Sequence, residues 1–570
     1  MRESGKDMCK VKKITLEEVY MKLILVMIIP VILFAQIERW VYIYDGNLSH
    51  IDVAEALTCG LDGNIYAVGR TANLGTSSDF IVASLKDNGD TNWIYLYNPV
   101  NLEDIAFAVC YGLDHNIYAA GMSSTPTTYA DFTVLSLTTG GDTNWIYRYD
   151  GPSTSEDYDI AHAITYGLDG NIYAGGTSKA LSTAGDFYVV SLSAAGDTNW
   201  TYRHGGTATS GGMVRAIEYG ADGNVYATGF SWNPGSYYDL LVVSLSTAGD
   251  TNWTYGYGGA LGDDAGYSVV YGLDSNIYVA GYSISADSLW YFTVISLTDE
   301  GDENWVFRYP SSNIFIFRPG DAIVYGLDNN IYAAGKCSLP GQTDDFFVVS
   351  LNTAGDTNWT YQLDGKANDD DFANKIVYGS DGNIYAAGMV RDMSSGPDFA
   401  VVGLAADGSE KWLYTYSALP IYRWDEAYAI DYGWDGNIYA AGQGSHAGSF
   451  WNYNFTVISL DPVTGIEETK NLPAQAVRLE ATPNPFSHQT RIRCSILDTR
   501  YLIEDPYIRI YDAAGRLVIS FNLGSSIQNQ ESVVRWDGRD QAGNKLPGGV
   551  YFVRPRNADH GTIEKLLLIR

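Results

Sequence analysis

Cysteine is scarce in this sequence. The five present, Cys9, Cys59, Cys110, Cys337 and Cys494, show neither the close spacing of a zinc site nor the pattern of a disulfide framework. Basic residues are few as well: 35 Lys and Arg stand against 67 Asp and Glu, a formal charge of -32. A surface this acidic repels nucleic acids and anionic membranes, which removes both as partners. The seven histidines are scattered, and His115 merely takes the place of a turn glycine. No Gly-x-Ser-x-Gly elbow or phosphate-binding loop is present. Nor does any carboxylate pair stand out among the many acids for glycosidase chemistry. No catalytic residue can be named, and the chain is expected not to be an enzyme.

A bilayer-spanning helix needs about 20 apolar residues, and the one apolar run is shorter. From Met21 the sequence reads Met-Lys-Leu-Ile-Leu-Val-Met-Ile-Ile-Pro-Val-Ile-Leu-Phe-Ala-Gln. One lysine, an apolar stretch and a small residue before the cut describe a secretory signal peptide over 21–35, ending near Ala35-Gln36. Residues 1–20 are then a polar N-terminal extension, with Met21 an alternative translation start.

What the chain has in abundance is a repeat. A turn followed by Asn-Ile-Tyr-Ala-x-Gly returns eight times, ending at Gly69, Gly121, Gly176, Gly229, Gly281, Gly335, Gly388 and Gly442. A strand like Asp-Phe-x-Val follows each, and seven of the eight continue into a version of Gly-Asp-Thr-Asn-Trp, from Trp93 to Trp412. Alternating short runs and tight turns at this period predict an all-β fold: an eight-bladed β-propeller of four-stranded blades over 37–461. Trp40 belongs to a fourth-strand phrase that precedes the first complete unit, while the eighth unit stops after three strands. The N-terminal strand is therefore expected to complete blade eight beside 454–460, closing the ring and hiding its edges. The tryptophan series reads as core between blades. The small residues of the second strand, such as Ala333, Ala334 and Gly335, read as making room between neighbouring sheets near the hub.

Within each unit the first-to-second and third-to-fourth turns are short and uniform. The second-to-third loop and the loop into the next blade vary, and antiparallel geometry puts both on one face, where recognition usually resides. Trp232, Trp290 and Trp451 lie in second-to-third loops and Trp424 in the loop entering blade eight, so these four are candidate binding residues for a sugar ring or a protein partner. Trp434 falls on the opposite face. Asp52, Asp104, Asp159, Asp264, Asp371 and Asp425 each stand eight residues before a first-strand glycine. They read as turn or strand caps. As weak calcium candidates they lack the dense Asp-x-Asp-x-Asp run of a preformed loop, so calcium is the one cofactor left open.

After 462–477, a linker, residues 478–570 read as a second domain of seven short strands, a small β-sandwich. The repeat over 37–461 resembles the bacterial beta-propeller repeat family of secreted and surface proteins, on Asp371, Ala373, Ile376, Asp381-Gly382-Asn383-Ile384-Tyr385-Ala386-Ala387-Gly388, Asp398-Phe399-x-Val401 and Trp412-x-Tyr414. That resemblance implies an extracytoplasmic location without a shared ligand. The tail is similar to C-terminal sorting domains of type IX secretion and to the Ig-like domain of flagellar hook-capping proteins. It matches on Pro483-Asn484-Pro485-Phe486, Ile510-Tyr511-Asp512-Ala513-Ala514-Gly515-Arg516 and the stretch from Trp536-Asp537-Gly538 to Tyr551-Phe552. This implies passage across an outer membrane with the secretion and sorting machinery as partner, and surface attachment.

The sequence thus describes an exported, monomeric, non-catalytic recognition protein, extracellular or on the outer cell surface. Its variable-loop face would bind a glycan or a surface protein. Two alternatives remain: a polysaccharide hydrolase or lyase with acids converging in the central funnel, and a structural surface-layer protein.

Overall fold

In the computed structural model the residues described are 37–462 and 477–568. Excepted are the loop segments 47–50, 74–76, 153–157, 181–184, 206–210, 234–236, 259–261, 287, 312–321, 339–342, 368, 394–395, 419–423 and 446–451, and in the C-terminal part 483, 485, 487, 497–506, 513–516, 523–530, 542 and 556–563. The expected leader at 1–35 and the linker residues 463–476 lie outside the described residues.

Small and β-branched residues alternating with Tyr and Phe pack well on both faces of a pleated strand, and each unit forms four of them. In blade one these are Val53–Cys59, Ile65–Thr71, Asp79–Leu85 and Thr91–Tyr97, hydrogen-bonded in chain order. Eight such four-stranded antiparallel sheets form. Seven use consecutive strands, and the eighth combines Glu426–Tyr432, Ile438–Ser445 and Tyr453–Asp461 with the N-terminal strand Ile37–Tyr44. Its register pairs Ile37 with Asp461, Trp40 with Ser459 and Tyr44 with Phe455. The first and last parts of the repeat thus share one sheet, and the fold is an eight-bladed propeller shut by its N-terminal strand.

The core lies between neighbouring sheets rather than at one centre. One cluster joins Ala54, Leu57, Ala67 and Ile81 of blade one to Ala441, Phe455 and Val457 of blade eight. Each signature tyrosine, from Tyr66 to Tyr439, is fully or almost fully buried and donates its hydroxyl to the aspartate of its own Asp-x-Asn turn; Tyr66 reaches Asp62 at 2.6 Å and Tyr439 reaches Asp435 at 2.7 Å. A buried hydroxyl without a partner is costly, so this bond secures the turn and the core together.

Blades are joined by the fourth-strand tryptophans. Trp40 donates its indole N–H to the Asp87 carbonyl in the next blade at 2.8 Å, and Trp93, Trp145, Trp200, Trp253, Trp305 and Trp359 repeat the contact with the following blade. Each ring lies flat against the turn glycine of that blade. Gly89, at φ 86°, has no room for a Cβ, which would sit 2.8 Å from the Trp40 ring. The last of the series differs. Blade eight takes its fourth strand from the other end of the chain, so no turn links its third strand to its fourth. Trp412, 3% exposed, faces that seam, and its indole nitrogen has no hydrogen-bond partner.

In the C-terminal part, Val477–Thr482, Thr490–Ile496 and Glu531–Trp536 form one sheet, and Leu517–Asn522, Tyr507–Asp512, Gly549–Pro555 and Glu564–Leu568 form another. They enclose Trp536, which packs edge-to-face on Tyr551 at 5.1 Å and donates to the Arg539 carbonyl at 2.9 Å. This is an Ig-like sandwich of seven strands.

The seam makes a prediction. Trp359→Phe removes an indole hydrogen bond across blades, whereas Trp412→Phe removes a buried donor that has no partner. Trp359→Phe is expected to destabilise more, by about 1 kcal/mol, in denaturant unfolding of the two variants. Equal losses would mean that Trp412 finds a partner and that the seam is closed differently.

Candidate functional site

The repeat glycine and the functional surface are one feature. Opposite Gly69 the first strand of blade one slips register between Ala54 and Ala56, a β-bulge that leaves Glu55 unpaired. A Cβ on Gly69 would lie 1.9 Å from the Val53 carbonyl oxygen. Gly121, Gly176, Gly229, Gly281, Gly388 and Gly442 are crowded in the same way, each by the bulged strand of its own blade. This corrects the expectation that the glycine makes room for a neighbouring sheet: it makes room for the bulge.

The extra residue of each bulge turns to the propeller axis. Glu55, Phe107, His162, Arg215, Tyr267, Asn374 and Tyr428 line a central cavity of ≈ 360 Å³. Asp321 holds this repeat position in blade six and lies outside the described residues. Below this ring each blade contributes a small residue, except that blade seven contributes Lys375. Further in, Leu57, Ile164, Ile217, Val269, Ile323, Ile376 and Ile430, each 7–8% exposed, form an apolar collar. The channel is therefore polar and chemically varied at the variable-loop end, and closed in by aliphatic side chains below it.

Electrostatics in this space are those of desolvation. His162 sits against Phe107 with ring centroids 5.5 Å apart; burial and the nearby Arg215 charge push its pKa down to about 3, so it is neutral. Lys375 is ringed by protein yet wetted by the channel, and desolvation lowers its pKa. Glu55 is met by Arg70, Nε to Oε1 3.8 Å. Among the described lining residues Glu55 is the sole carboxylate.

Two of the candidate tryptophans belong to a continuous aromatic track. Trp232 meets Tyr238 at 5.4 Å, and Tyr238 meets Phe230 at 5.1 Å. The Arg215 guanidinium lies over Phe230 at 5.8 Å and over Tyr267 at 5.4 Å. Tyr267 stacks on Tyr282 at 5.8 Å, and Tyr282 meets Trp290 at 5.2 Å. All of these side chains are half-buried, and Tyr237, 54% exposed, extends the track beyond Trp232. Both tryptophans were expected in second-to-third loops, but the strands run on to include them, Trp232 pairing with Tyr238 and Trp290 with Ile284. The track thus joins the strand ends of blades four and five, passing the channel mouth at Arg215 and Tyr267. Trp424 is elsewhere. Its indole donates to Glu426 at 2.6 Å, Arg391 covers its ring at 5.5 Å, and Glu426 also accepts from Asn374 and Tyr428. Trp451 lies outside the described residues.

The recurrent aspartates hold backbone. Asp52, 0% exposed, accepts from the Gly46 amide at 3.0 Å, the Ala72 amide at 2.8 Å and the Thr71 hydroxyl at 2.6 Å, while its own amide donates to the Tyr453 carbonyl. Each such residue ties the end of one blade to the start of the next. Asp159 accepts from Gly151 and Lys179, Asp264 from Ile284, Asp371 from Gly365 and Arg391, and Asp425 from Ala418 and Ser445. One stands in each of six blades, and among the described residues no group of three or more His, Cys, Asp and Glu is placed to hold a metal ion.

Asp104 is the exception. Six residues after each blade tryptophan stands the amide that serves this carboxylate: Gly46, Gly151, Gly365, Ala418. After Trp93 that place is Pro99, which has no N–H. The Ser124 amide donates to the Glu103 carbonyl instead, and both Asp104 oxygens are left buried without a partner. Burial then raises the Asp104 pKa to about 6.

Residues 503–556 match the FlgD Ig-like domain family. No curated protein matches the chain significantly. Among solved structures similar to it, the BP39L lectin from Burkholderia pseudomallei is 12% identical with a TM-score of 0.40, over 64% of this chain and 99% of the lectin. A fungal alcohol oxidase of the AA5 family, in complex with copper, is 12% identical with a TM-score of 0.40, over 80% of this chain and 94% of the oxidase. PorZ, a surface component of the type-IX secretion system of Porphyromonas gingivalis, is 10% identical with a TM-score of 0.20, over 91% of this chain and 99% of PorZ.

The Asp104 pocket sets a pH dependence. With a folded pKa of about 6 against an ordinary 3.8, the folded state binds the extra proton between those values. Stability from this residue is therefore present at low pH and lost as pH rises through 6. Asp104→Asn keeps a neutral side chain at every pH. Relative to wild type it should gain about 1.4 kcal/mol between pH 5 and pH 8, read from unfolding curves at both. A pH-independent difference between Asp104→Asn and wild type would show that the carboxylate has a partner.

Proposed function

We propose that this protein is an exported, surface-located recognition protein that holds a glycan on the variable-loop face, across blades four and five. The supporting observation is the aromatic track from Trp232 to Trp290. Sugar rings present apolar faces that stack on aromatic side chains, and a row of such rings fixed on a rigid sheet scaffold meets successive sugars without an ordering cost. The end tryptophans of the track, Trp232 and Trp290, stand at strand ends beside the variable second-to-third loops, and Tyr237 at one end is 54% exposed. The reading is non-catalytic; among the described lining residues Glu55 is the one carboxylate, and Arg70 meets it. The C-terminal Ig-like domain is assigned to export and surface attachment.

The test is retention on immobilised or soluble polysaccharides. Trp290→Ala and Tyr282→Ala should each weaken binding of the retained polymer at least tenfold, as loss of a stacking platform does. Trp434→Ala is the control, since that residue is 61% exposed on the opposite face and its loss should leave retention unchanged. Equal retention by all three variants would overturn the assignment of the face.

A further inference from the structure

In a chain with 67 acidic and 35 basic residues, a cation without a counter-charge is an anomaly, and the channel holds two. Arg215 and Lys375 both line the cavity. Neither forms an ion pair with any described residue, and Arg215 Nε is buried without a hydrogen-bond partner. The position of Lys375 makes it more pointed. In the other seven blades this place is Ala six times and Ser268 once, so the one long side chain in the ring carries a positive charge, paired with no described acid, into the wetted channel. At Arg215, whose Nε is buried, such a charge costs free energy unless an opposite charge joins it.

The nearby acids do not supply that charge. Glu55 is held by Arg70. Glu426 is buried and engaged by Asn374, Trp424 and Tyr428. On the strand segments below, Asp431 accepts the Cys59 amide at 2.8 Å, and desolvation drives the Glu218 pKa up to about 7, so its negative charge is only partial near neutrality. Asp321 shares the ring position in blade six and lies outside the described residues. His162, held neutral, adds a buried and unpartnered Nε2 beside Arg215.

We propose that the channel mouth is an anion site and that the glycan of the preceding reading is acidic: a carboxylate or sulfate of one sugar enters the channel between Arg215 and Lys375, while neighbouring rings lie on the aromatic track. Arg215 belongs to both features, stacked between Phe230 and Tyr267 and lining the cavity, so one ligand reaches both. The proposal rests on the glycan reading for its saccharide part and on the two unpaired cations for its charge.

The experiment uses the full chain and separates the two parts. Inorganic sulfate is compared with chloride at equal ionic strength by thermal unfolding of wild type and Lys375→Met. Binding is then measured for tetragalacturonate against its fully methyl-esterified form, and for a sulfated galactan against its desulfated form. Sulfate should raise the wild-type melting temperature by several degrees and leave Lys375→Met unmoved. At least one acidic sugar should bind tenfold or more above its neutral twin, with that preference lost in Lys375→Met and Arg215→Met. Asp321→Asn should leave the preference intact or enlarge it. Removing an unpaired charge should not lower the stability of Lys375→Met in chloride, and the wild-type comparison of sulfate with chloride stands without any variant. Equal stabilisation of wild type and Lys375→Met by sulfate would overturn the anion site. Neutral and acidic twins binding alike, with both lost in Trp290→Ala, would overturn it too and leave the glycan reading in place. Stabilisation by sulfate with no saccharide bound would overturn the glycan reading and the saccharide part together.

Discussion

The constraint on which this molecule turns is a carbonyl oxygen standing where a side chain would otherwise begin. In blade after blade the first strand carries one residue more than its partner, and the displaced carbonyl comes to about 1.9 Å from where a Cβ on the opposing glycine would be, as at Gly69 and Gly229. Only glycine tolerates this. The bulge therefore dictates the strongest signature in the sequence and also swings its extra residue out of the ladder, toward the axis. The residue is freed from pairing, and in a closed ring it has one place to go.

The ring itself depends on contacts that pass from blade to blade in one direction. Each outer tryptophan reaches forward to the next turn, and each buried aspartate ties a blade to the one before. Such contacts repeat until the chain runs out, and the ends show what happens there. Arg39 of the closing strand donates to Ser459 at 3.1 Å and to Tyr439 at 3.3 Å, adding polar contacts to the main-chain ladder between residues 37–44 and 455–461. Trp412, with no turn ahead of it, keeps its ring in the core and loses its hydrogen bond. The closure is thus complete in its ladder and incomplete in its side chains, as expected when a strand is borrowed from the other end of the chain.

Blade number and closure were legible in the sequence, since eight copies of one pattern average out local ambiguity. The N-terminal strand expected beside 454–460 pairs there, Trp40 opposite Ser459 and Tyr44 opposite Phe455. The site was less legible. Trp232 and Trp290 were visible as tryptophans off the repeat, but Phe230, Tyr282 and Tyr267 sit at repeat positions and look like strand residues. Their link to one another passes through Arg215, which no local pattern selects. The bulge was hidden because one extra residue in a strand leaves alternation on either side almost undisturbed. The aspartates were visible as a recurrence, and their role as clamps needed the distant amides of Ala72 and Lys179, twenty residues on.

A usable signal was nevertheless present. Aligning the eight copies on their glycine leaves most positions nearly constant, because each must satisfy the same neighbours in every blade. The bulge position runs Glu, Phe, His, Arg, Tyr, Asp, Asn, Tyr, and the position after the glycine runs Arg, Met, Thr, Phe, Tyr, Lys, Met, Gln. Residues that only build blades have no reason to differ so widely in charge and size. An eightfold scaffold with identical linings would present a ligand with a symmetric hole, and few molecules have eightfold symmetry. To hold an asymmetric ligand, the repeat must be broken where the blades converge, and it is broken there: aromatics and Arg215 gather on blades four and five, and Lys375 replaces alanine on blade seven. In a repeat protein, then, the constant positions describe the fold, and the variable positions that share one face mark where its symmetry has been given up.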